Sequence, residues 1–153
     1  MAKMKTTAPV MTVAELDAFL DEAFPQMRGD DKLTSIEDLS PMTVTMRLRF
    51  SERNLRPGGT LSGPSMMGLA DHAMYAVVLA HIGPVALAVT TNLNINFLQR
   101  PAPEDLVAEA RILKLGQKLV VGEVTLTQAS ADGPVAHATL TYSVPPERYR
   151  SLG

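Results

Sequence analysis

The 153-residue sequence contains no cysteine. This absence excludes a disulfide framework, a thiolate nucleophile and any cysteine-ligated zinc or iron–sulfur site. The charge is nearly balanced, with 14 Lys and Arg residues and 16 Asp and Glu residues. This balance argues against a nucleic-acid partner. No segment reaches the roughly 18 uninterrupted apolar residues of a membrane helix, and the N-terminus lacks a signal-peptide core. We therefore expect a cytoplasmic protein with no membrane partner.

Helical and strand periodicities indicate a mixed α and β domain. Thr12 precedes Glu15 by three residues, the spacing of a capping box, and apolar residues then recur at helical intervals as far as Pro25. The stretch PMTVTMRLRF alternates apolar and polar residues, which predicts a half-buried strand paired with residues 33–39. We expect one domain over residues 1–153, with a helical extension over 1–28 and a core over 29–146.

The longest apolar segment, GPSMMGLADHAMYAVVLAHIG, predicts a helix that is buried on most sides and ends at Gly83. One buried face is traced by Met67, Ala70, Met74, Val77 and Val78. Four strand-like runs follow, over residues 87–98, 106–115, 119–128 and 135–144, and the turns between them are short enough for consecutive strands to pair directly. A curved antiparallel sheet wrapped round a central helix, an α+β fold, would explain the composition of that helix.

Asp71 is a carboxylate in the second turn of this apolar helix. One interpretation is structural, because a carboxylate at the edge of a buried face can reach solvent or a nearby donor. The other is catalytic, because loss of hydration in a semi-apolar cleft makes a carboxylate a better general base or nucleophile. The residues alone leave both interpretations open.

The start of the same helix supplies a second candidate group. Ser62 is a natural N-cap, and Pro64 suits the first helical turn. Unpaired backbone N–H groups at a helix start can bind an oxyanion, so the spacing predicts that such a donor and Asp71 face the same opening. Plain capping of the helix is the alternative interpretation of Ser62, Gly63 and Pro64.

The sequence contains three motifs in the order GTLSGPSMMGLADHA, TTNLNINFLQRPA and LGQKL. The sequence resembles the hot-dog-fold acyl-CoA thioesterases of the phenylacetate-pathway type, over about residues 54–144. The L-A-D and F-L-x-R-P-A elements are the most specific parts of this resemblance. It implies a hot-dog fold, a thioester hydrolase activity, an acyl-CoA substrate, no cofactor, and a homodimer or a dimer of dimers.

The resemblance also implies roles for individual residues. Asp71 matches the catalytic carboxylate of the family, which activates water or attacks the thioester carbonyl. Gly63 matches the glycine whose backbone N–H polarises that carbonyl in an oxyanion hole. Thr90 matches a serine or threonine position that holds the water and that, in the family, belongs to the other subunit. Arg100, Lys114 and Lys118 fall where the family keeps basic groups for the CoA phosphates, with solvated surface charge as the alternative.

The sequence departs from the family pattern at the substrate-binding loop. Ser62, Gly63 and Pro64 stand where the family has His-Gly-Gly, and Arg56 stands where it often has an asparagine. Gly63 keeps its N–H, whereas Pro64 has none, so the hydrogen bonds of this loop must be rebuilt. Arg56 and Ser62 remain candidate substrate-binding residues, although a guanidinium cannot both donate and accept as an amide does.

Other classes of function are less well supported by the sequence. His72, His81 and His137 have no second histidine at metal-binding spacing, so we expect no metal site. His81, near the helix end, suits the helix macrodipole. A hot-dog hydratase or dehydratase needs a histidine where Ser62 stands. A non-catalytic acyl-CoA sensor is the other alternative, favoured by the altered loop and disfavoured by the presence of Asp71 and Thr90.

Overall fold

The computed structural model describes residues 7–28 and 32–146. Helix α1 (Val13–Ala23) begins at an N-cap, Thr12, whose side chain accepts from the Glu15 N–H while the Glu15 carboxylate accepts from the Thr12 N–H. The predicted capping box is confirmed. A short helix α2 (Pro25–Arg28) follows. The predicted boundary at residues 28 and 29 lies at the edge of the described residues and stays a prediction.

One six-stranded antiparallel sheet forms the body of the fold. Its strands are β1 (Thr34–Ser40), β2 (Thr43–Leu48), β5 (Val89–Phe97), β6 (Leu106–Leu115), β7 (Leu119–Thr127) and β8 (Ala136–Ser143). Two short strands, β3 (Leu55–Arg56) and β4 (Thr60–Leu61), pair separately after a single 3₁₀ turn (Glu52–Asn54). Every strand that alternation predicted is present within two residues of its expected ends.

The strand order of the sheet is β1-β2-β6-β7-β8-β5. The prediction that consecutive strands pair is therefore wrong for β5 and β6, which lie three positions apart because β5 pairs with β8 instead. Residues 98–105 connect them across the sheet, and eight extended residues span far more than the roughly 14 Å between these strands. Strands β1 and β5 form the two edges.

Helix α3 (Gly63–Ile82) lies across the concave face of the sheet and is buried on most sides. Gly122 of β7 permits the closest approach, because a Cβ there would lie 2.6 Å from the Met74 sulfur. The predicted sheet around a central helix, which is the hot-dog architecture, is confirmed. Met67 is an exception, since 40% of it is exposed and it does not belong to the predicted buried face. No described helix is long and apolar enough to cross a membrane.

Candidate active site

Asp71 is half-buried in the middle of α3 and receives two side-chain hydrogen bonds. The Thr90 hydroxyl of β5 donates to its Oδ1 over 2.6 Å, and the Tyr142 hydroxyl of β8 lies 2.7 Å from the same oxygen. Among the described residues, no hydrogen-bond donor contacts Oδ2. The carboxylate is therefore fixed through one oxygen while the other is available to a substrate or a water molecule.

Thr90 reaches Asp71 through an irregularity in strand β5. The register between β5 and β8 shifts at Thr91, so Thr90 pairs with Tyr142, whereas Leu93 pairs with Leu140 farther along. Without this bulge, strict alternation from Leu93 would place Thr91 on the Asp71 side. The expectation that Thr90 comes from the other subunit is wrong, because the Thr90–Asp71 hydrogen bond forms within one chain.

Tyr142 is a site residue that the sequence reasoning missed. It is buried at the end of β8, and its hydroxyl also lies 3.1 Å from the Asp71 carbonyl oxygen. Burial, together with the neighbouring Asp71 charge, raises the pKa of Tyr142 well above its ordinary value, so the hydroxyl remains a donor. The sequence did indicate this role, because Tyr142 lies on the inward face of an alternating strand and a buried phenol needs a hydrogen-bond partner.

The start of α3 is held by a chain of hydroxyl groups. Ser62 is the N-cap, as predicted, and its Oγ accepts from the Ser65 N–H over 3.2 Å. The Ser62 hydroxyl donates to Ser65 Oγ, which in turn donates to Asn54 Oδ1 over 3.0 Å. The Ser62 N–H donates to the Asn54 carbonyl over 2.7 Å. Asn54, also missed in the sequence, thus fixes the loop two residues before Arg56.

A cavity with a volume of about 720 Å³ opens at this end of the helix. Its lining includes Gly63, Arg56 and Arg100. The Arg100 guanidinium is exposed and donates to the Gly58 carbonyl over 3.3 Å. As the first residue of α3, Gly63 has no helical acceptor for its N–H. The predicted oxyanion donor and two of the predicted cationic residues therefore share one opening.

Asp71 does not face that opening. Eight residues separate it from Gly63 along α3, which corresponds to roughly 12 Å of helix. Asp71 lines a different, small cavity of about 30 Å³ with Phe24, Tyr75 and Tyr142. The prediction that the donor and the carboxylate face the same opening is therefore wrong within one chain, because a thioester carbonyl cannot span this distance.

The remaining predicted cations lie at the other end of the molecule. Lys114 and Lys118 are exposed on the hairpin between β6 and β7. Lys118 lines a cavity with Ile82, the last residue of α3. Gly63 and Ile82 are 19 residues apart, so roughly 28 Å of helix separates this cavity from the one with Arg100. One chain does not bring the three basic residues together.

Residues of the N-terminal helices cover Asp71. Phe24 and Met27 line its small cavity, and Phe24 packs edge-on against Tyr75 with ring centroids 6.0 Å apart. Arg28 anchors this cover, because its buried guanidinium donates to Asp17 over 2.6 Å and to Asp21 over 2.9 Å. An ion-pair cluster therefore ties the four-residue helix α2 to α1.

Two of the three histidines are buried and uncharged. His81 Nε2 accepts from the Met42 N–H over 2.8 Å, so Nδ1 carries the proton and donates to the Val77 carbonyl. Burial lowers the pKa of His81, and burial with the nearby Arg28 charge lowers the pKa of His72 to about 4. Although its place near the helix end suits the macrodipole, His81 is a buried, packed residue whose neutral ring makes both hydrogen bonds.

These buried histidines predict a loss of stability in mild acid. Between pH 6.5, the ordinary pKa, and about 4, the unfolded His72 binds a proton that the folded one does not. The free energy of unfolding should therefore fall as the pH falls, by up to about 1.4 kcal/mol per pH unit for each such histidine. Denaturant titrations at pH 7, 6 and 5 measure this slope. We expect a shallower slope for His72→Gln, and equal stability at all three pH values would contradict the prediction.

Among the described residues, no group of three His, Asp or Glu side chains could hold a metal ion. The chemistry of the site is that of a carboxylate held by two hydroxyl groups. Such a carboxylate can act as a general base toward a water molecule. The six-stranded antiparallel sheet packed round one long helix is the architecture of the hot-dog class of proteins.

Comparison with known proteins identifies the family. The sequence profile of the "Thioesterase superfamily" matches residues 58–134, half of the chain. A crystal structure of a protein from Silicibacter sp. TM1040, provisionally named a thioesterase, is 47% identical with a TM-score of 0.84, covering 95% of this chain and 100% of that one. The chain belongs to the thioesterase superfamily.

Two further relatives are informative. A Saccharolobus solfataricus protein, provisionally named an esterase, is 29% identical over 125 residues, which cover 80% of this chain and 79% of that protein. A Streptococcus mutans protein crystallised with acetyl-CoA is 22% identical with a TM-score of 0.65, covering 73% of this chain and 88% of that one. The second likeness shows a shared fold.

Proposed function

We propose that this protein hydrolyses acyl-CoA thioesters, with Asp71 as the general base or nucleophile. The observation that carries the proposal is the Asp71 carboxylate, which Thr90 and Tyr142 fix at Oδ1 and which has no partner at Oδ2 in the described part of the chain. The acetyl-CoA bound by the structurally similar Streptococcus mutans protein supports a CoA thioester as the ligand. Within the superfamily, we place the chain in the phenylacetate-pathway type, because the L-A-D and F-L-x-R-P-A elements surround Asp71 and Arg100.

In the simplest mechanism, Asp71 Oδ2 takes a proton from water as the water oxygen attacks the thioester carbonyl carbon. The N–H of Gly63 stabilises the resulting oxyanion. The C–S bond then breaks, and the CoA thiolate leaves with the proton that Asp71 carries. Arg56 and Arg100, which line the Gly63 cavity, would hold the CoA phosphates as charge-assisted partners. The proposed roles of Lys114 and Lys118 require a second chain, because both lie far from Gly63.

The active site is proposed to form between two chains. Gly63 lies beside Phe97 at one end of β5, where an added Cβ would sit 3.5 Å from the ring, and Asp71 lies beside Thr90 at the other end. If the β5 edges of two chains pair antiparallel about a two-fold axis, the Phe97 end of each chain meets the Thr90 end of its partner. Gly63 of one chain then faces Asp71 of the other.

Exposed apolar residues support this interface. Leu87, Val89, Phe97 and Leu98, in and beside the edge strand β5, are each between 45% and 54% exposed. An uncovered strand edge with apolar side chains favours pairing with another chain. We therefore propose a homodimer with a sheet continuous across both subunits, which a second interface could double to a tetramer.

Mixed dimers test the shared site. Asp71→Asn and Gly63→Pro chains should each be nearly inactive alone. After co-refolding in equal amounts, half of the dimers contain both variants, and each of these holds one intact site and one doubly defective site. The mixture should therefore recover about a quarter of the parent activity. Continued inactivity of the verified mixed dimer, or a monomeric mass for the parent protein, would contradict the shared site.

The activity itself is tested by thiol release from short, medium, long and aromatic acyl-CoA esters. Hydrolysis of at least one ester supports the proposed enzyme. Tight binding without thiol release would instead indicate the acyl-CoA sensor. A hydratase or dehydratase of this fold would need a histidine at the start of α3, and Ser62 occupies that position as the helix cap.

A further inference from the structure

A second cavity, which we call the polar cavity, lies on the inner side of α3 next to Asp71. Its volume is about 160 Å³, and it is lined by Met27, Thr34, Leu48, Asn54, Ser65, Gly68, Leu69 and His72. Three of these residues carry buried polar atoms with no hydrogen-bond partner among residues 7–28 and 32–146, namely Thr34 Oγ1, Asn54 Nδ2 and His72 Nε2. Unpartnered buried polar atoms are uncommon in proteins, so three around one cavity indicate a polar occupant.

The polar cavity adjoins the proposed catalytic carboxylate. Met27 and His72 line both this cavity and the small cavity that contains Asp71. Gly68 and Asp71 are three residues apart on α3, which places their positions roughly 5–6 Å from each other on the helix surface. An acyl chain whose carbonyl lies at Asp71 therefore reaches the polar cavity within a few carbon atoms.

Gly68 keeps this space open. A Cβ at Gly68 would meet no atom within 4 Å, so a larger residue would fit the fold and fill part of the cavity. Glycine in the middle of a helix is destabilising relative to alanine. The helix therefore carries a destabilising residue at the point where the cavity needs room.

The lining determines what the occupant can be. It contains no charged side chain, and burial keeps His72 neutral by lowering its pKa to about 4. The Asn54 amide N–H₂ donates, the Thr34 hydroxyl donates or accepts, and His72 Nε2 does one or the other according to its tautomer. A hydroxyl group can satisfy all three. A carboxylate would find no cation in the lining, and the nearby Arg28 is already paired with Asp17 and Asp21, while a hydrocarbon would leave all three atoms unpaired.

We infer that the polar cavity receives the distal part of a short aliphatic acyl chain that carries a hydroxyl group. The inference rests on the proposed thioester hydrolysis and names the acyl group for it. A volume of about 160 Å³ accommodates roughly five water molecules, or a chain of similar size. The walls that are not polar, at Met27, Leu48 and Leu69, are aliphatic and contact the carbon atoms of such a chain.

Matched substrates test this inference. We expect kcat/KM for 3-hydroxybutyryl-CoA to exceed that for butyryl-CoA by roughly tenfold or more, because the unsubstituted chain leaves buried polar atoms unpaired. Phenylacetyl-CoA and 4-hydroxyphenylacetyl-CoA serve as an aromatic pair. Equal values for the aliphatic pair, or a hydroxyl preference confined to the aromatic pair, would overturn the assignment.

Matched variants connect the preference to the cavity. Thr34→Val removes one hydroxyl at constant shape and should lower the hydroxybutyryl preference by roughly tenfold. Thr45→Val, on the opposite face of the sheet, should retain the preference of the parent. Gly68→Leu should fill the cavity and lower kcat/KM for both four-carbon esters more than for acetyl-CoA, with no loss of melting temperature.

Two failures are distinguishable in these measurements. Thiol release without a hydroxyl preference contradicts only the assignment of the polar cavity. A complete lack of thiol release from every ester contradicts the proposed hydrolysis, and the assignment with it. A preference that survives Thr34→Val and Gly68→Leu would place the hydroxyl group elsewhere and would overturn the inference even if the enzyme is active.

Discussion

Replacing Asp71 by asparagine should lower turnover by roughly two to four orders of magnitude and leave the fold intact. The amide oxygen can still accept from Thr90 and Tyr142, which contact only Oδ1 of the carboxylate. The amide nitrogen in place of Oδ2 can neither take a proton from water nor attack a carbonyl. Loss of the partly buried charge removes a desolvation cost, so the melting temperature should stay equal or rise.

Three measurements decide this prediction: steady-state thiol release, thermal unfolding, and acyl-CoA binding by calorimetry. We expect the Asp71→Asn protein to bind acyl-CoA with the affinity of the parent. Asp132→Asn, in an exposed loop, is the matched control and should keep full activity. Near-parent turnover by Asp71→Asn, or its failure to fold, would show that Asp71 is a structural residue.

Replacing Gly63 by proline should lower turnover by roughly 10²–10³-fold, because it removes the single N–H proposed to bind the oxyanion. The backbone before position 63 suits a proline, and because position 63 precedes Pro64, proline and alanine there meet the same restriction on the helical conformation. Proline is favoured at the first position of a helix, and Ser62 already has the extended conformation, φ −76° and ψ 150°, that the residue before a proline prefers. The additional loss relative to Gly63→Ala should therefore appear in kcat.

Gly63→Ala is the control for this effect. Alanine retains the N–H, and its Cβ would lie 3.5 Å from the Phe97 ring, an ordinary contact. We expect kcat within a few-fold of the parent for this variant. If alanine and proline were equally damaging, the cause would be the shape of the loop and not the lost donor.

Periodicity accounts for most of what the sequence predicted correctly. The alternation in PMTVTMRLRF and the uniformly apolar segment before Gly83 reflect which faces are buried, and burial is the main determinant of these elements. The pairing of β5 with β8 was not predictable in this way, because hydrophobic patterns locate strands without ordering them. Helix α3 ends at Gly83 as expected, where φ is +97° and a glycine is favoured.

The candidate site was predictable only in part. Asp71 and Ser62 stand out in sequence, the first as a charge in an apolar helix and the second as a cap. Thr90 was identified through the family resemblance. Alternation alone favours Thr91, because the sequence does not show that β5 contains a bulge. The separation of Gly63 from Asp71 is fixed by helical rise. This distance could have been calculated from the sequence, and it shows that the two residues of one chain cannot face the same opening.

The residues that shape the space beside Asp71 are different from the residues that hold its carboxylate. Phe24, at the end of α1, and Met27, in the four-residue helix α2 that Arg28 anchors, reach the cavities around Asp71, whereas Thr90 and Tyr142 belong to the sheet. Substitutions at Phe24 or Met27 can therefore alter the shape available to an acyl group while the strands that hold the carboxylate keep their register. Lineages carrying this arrangement can therefore change the space beside Asp71 through a few N-terminal substitutions while Asp71, Thr90 and Tyr142 keep their hydrogen bonds.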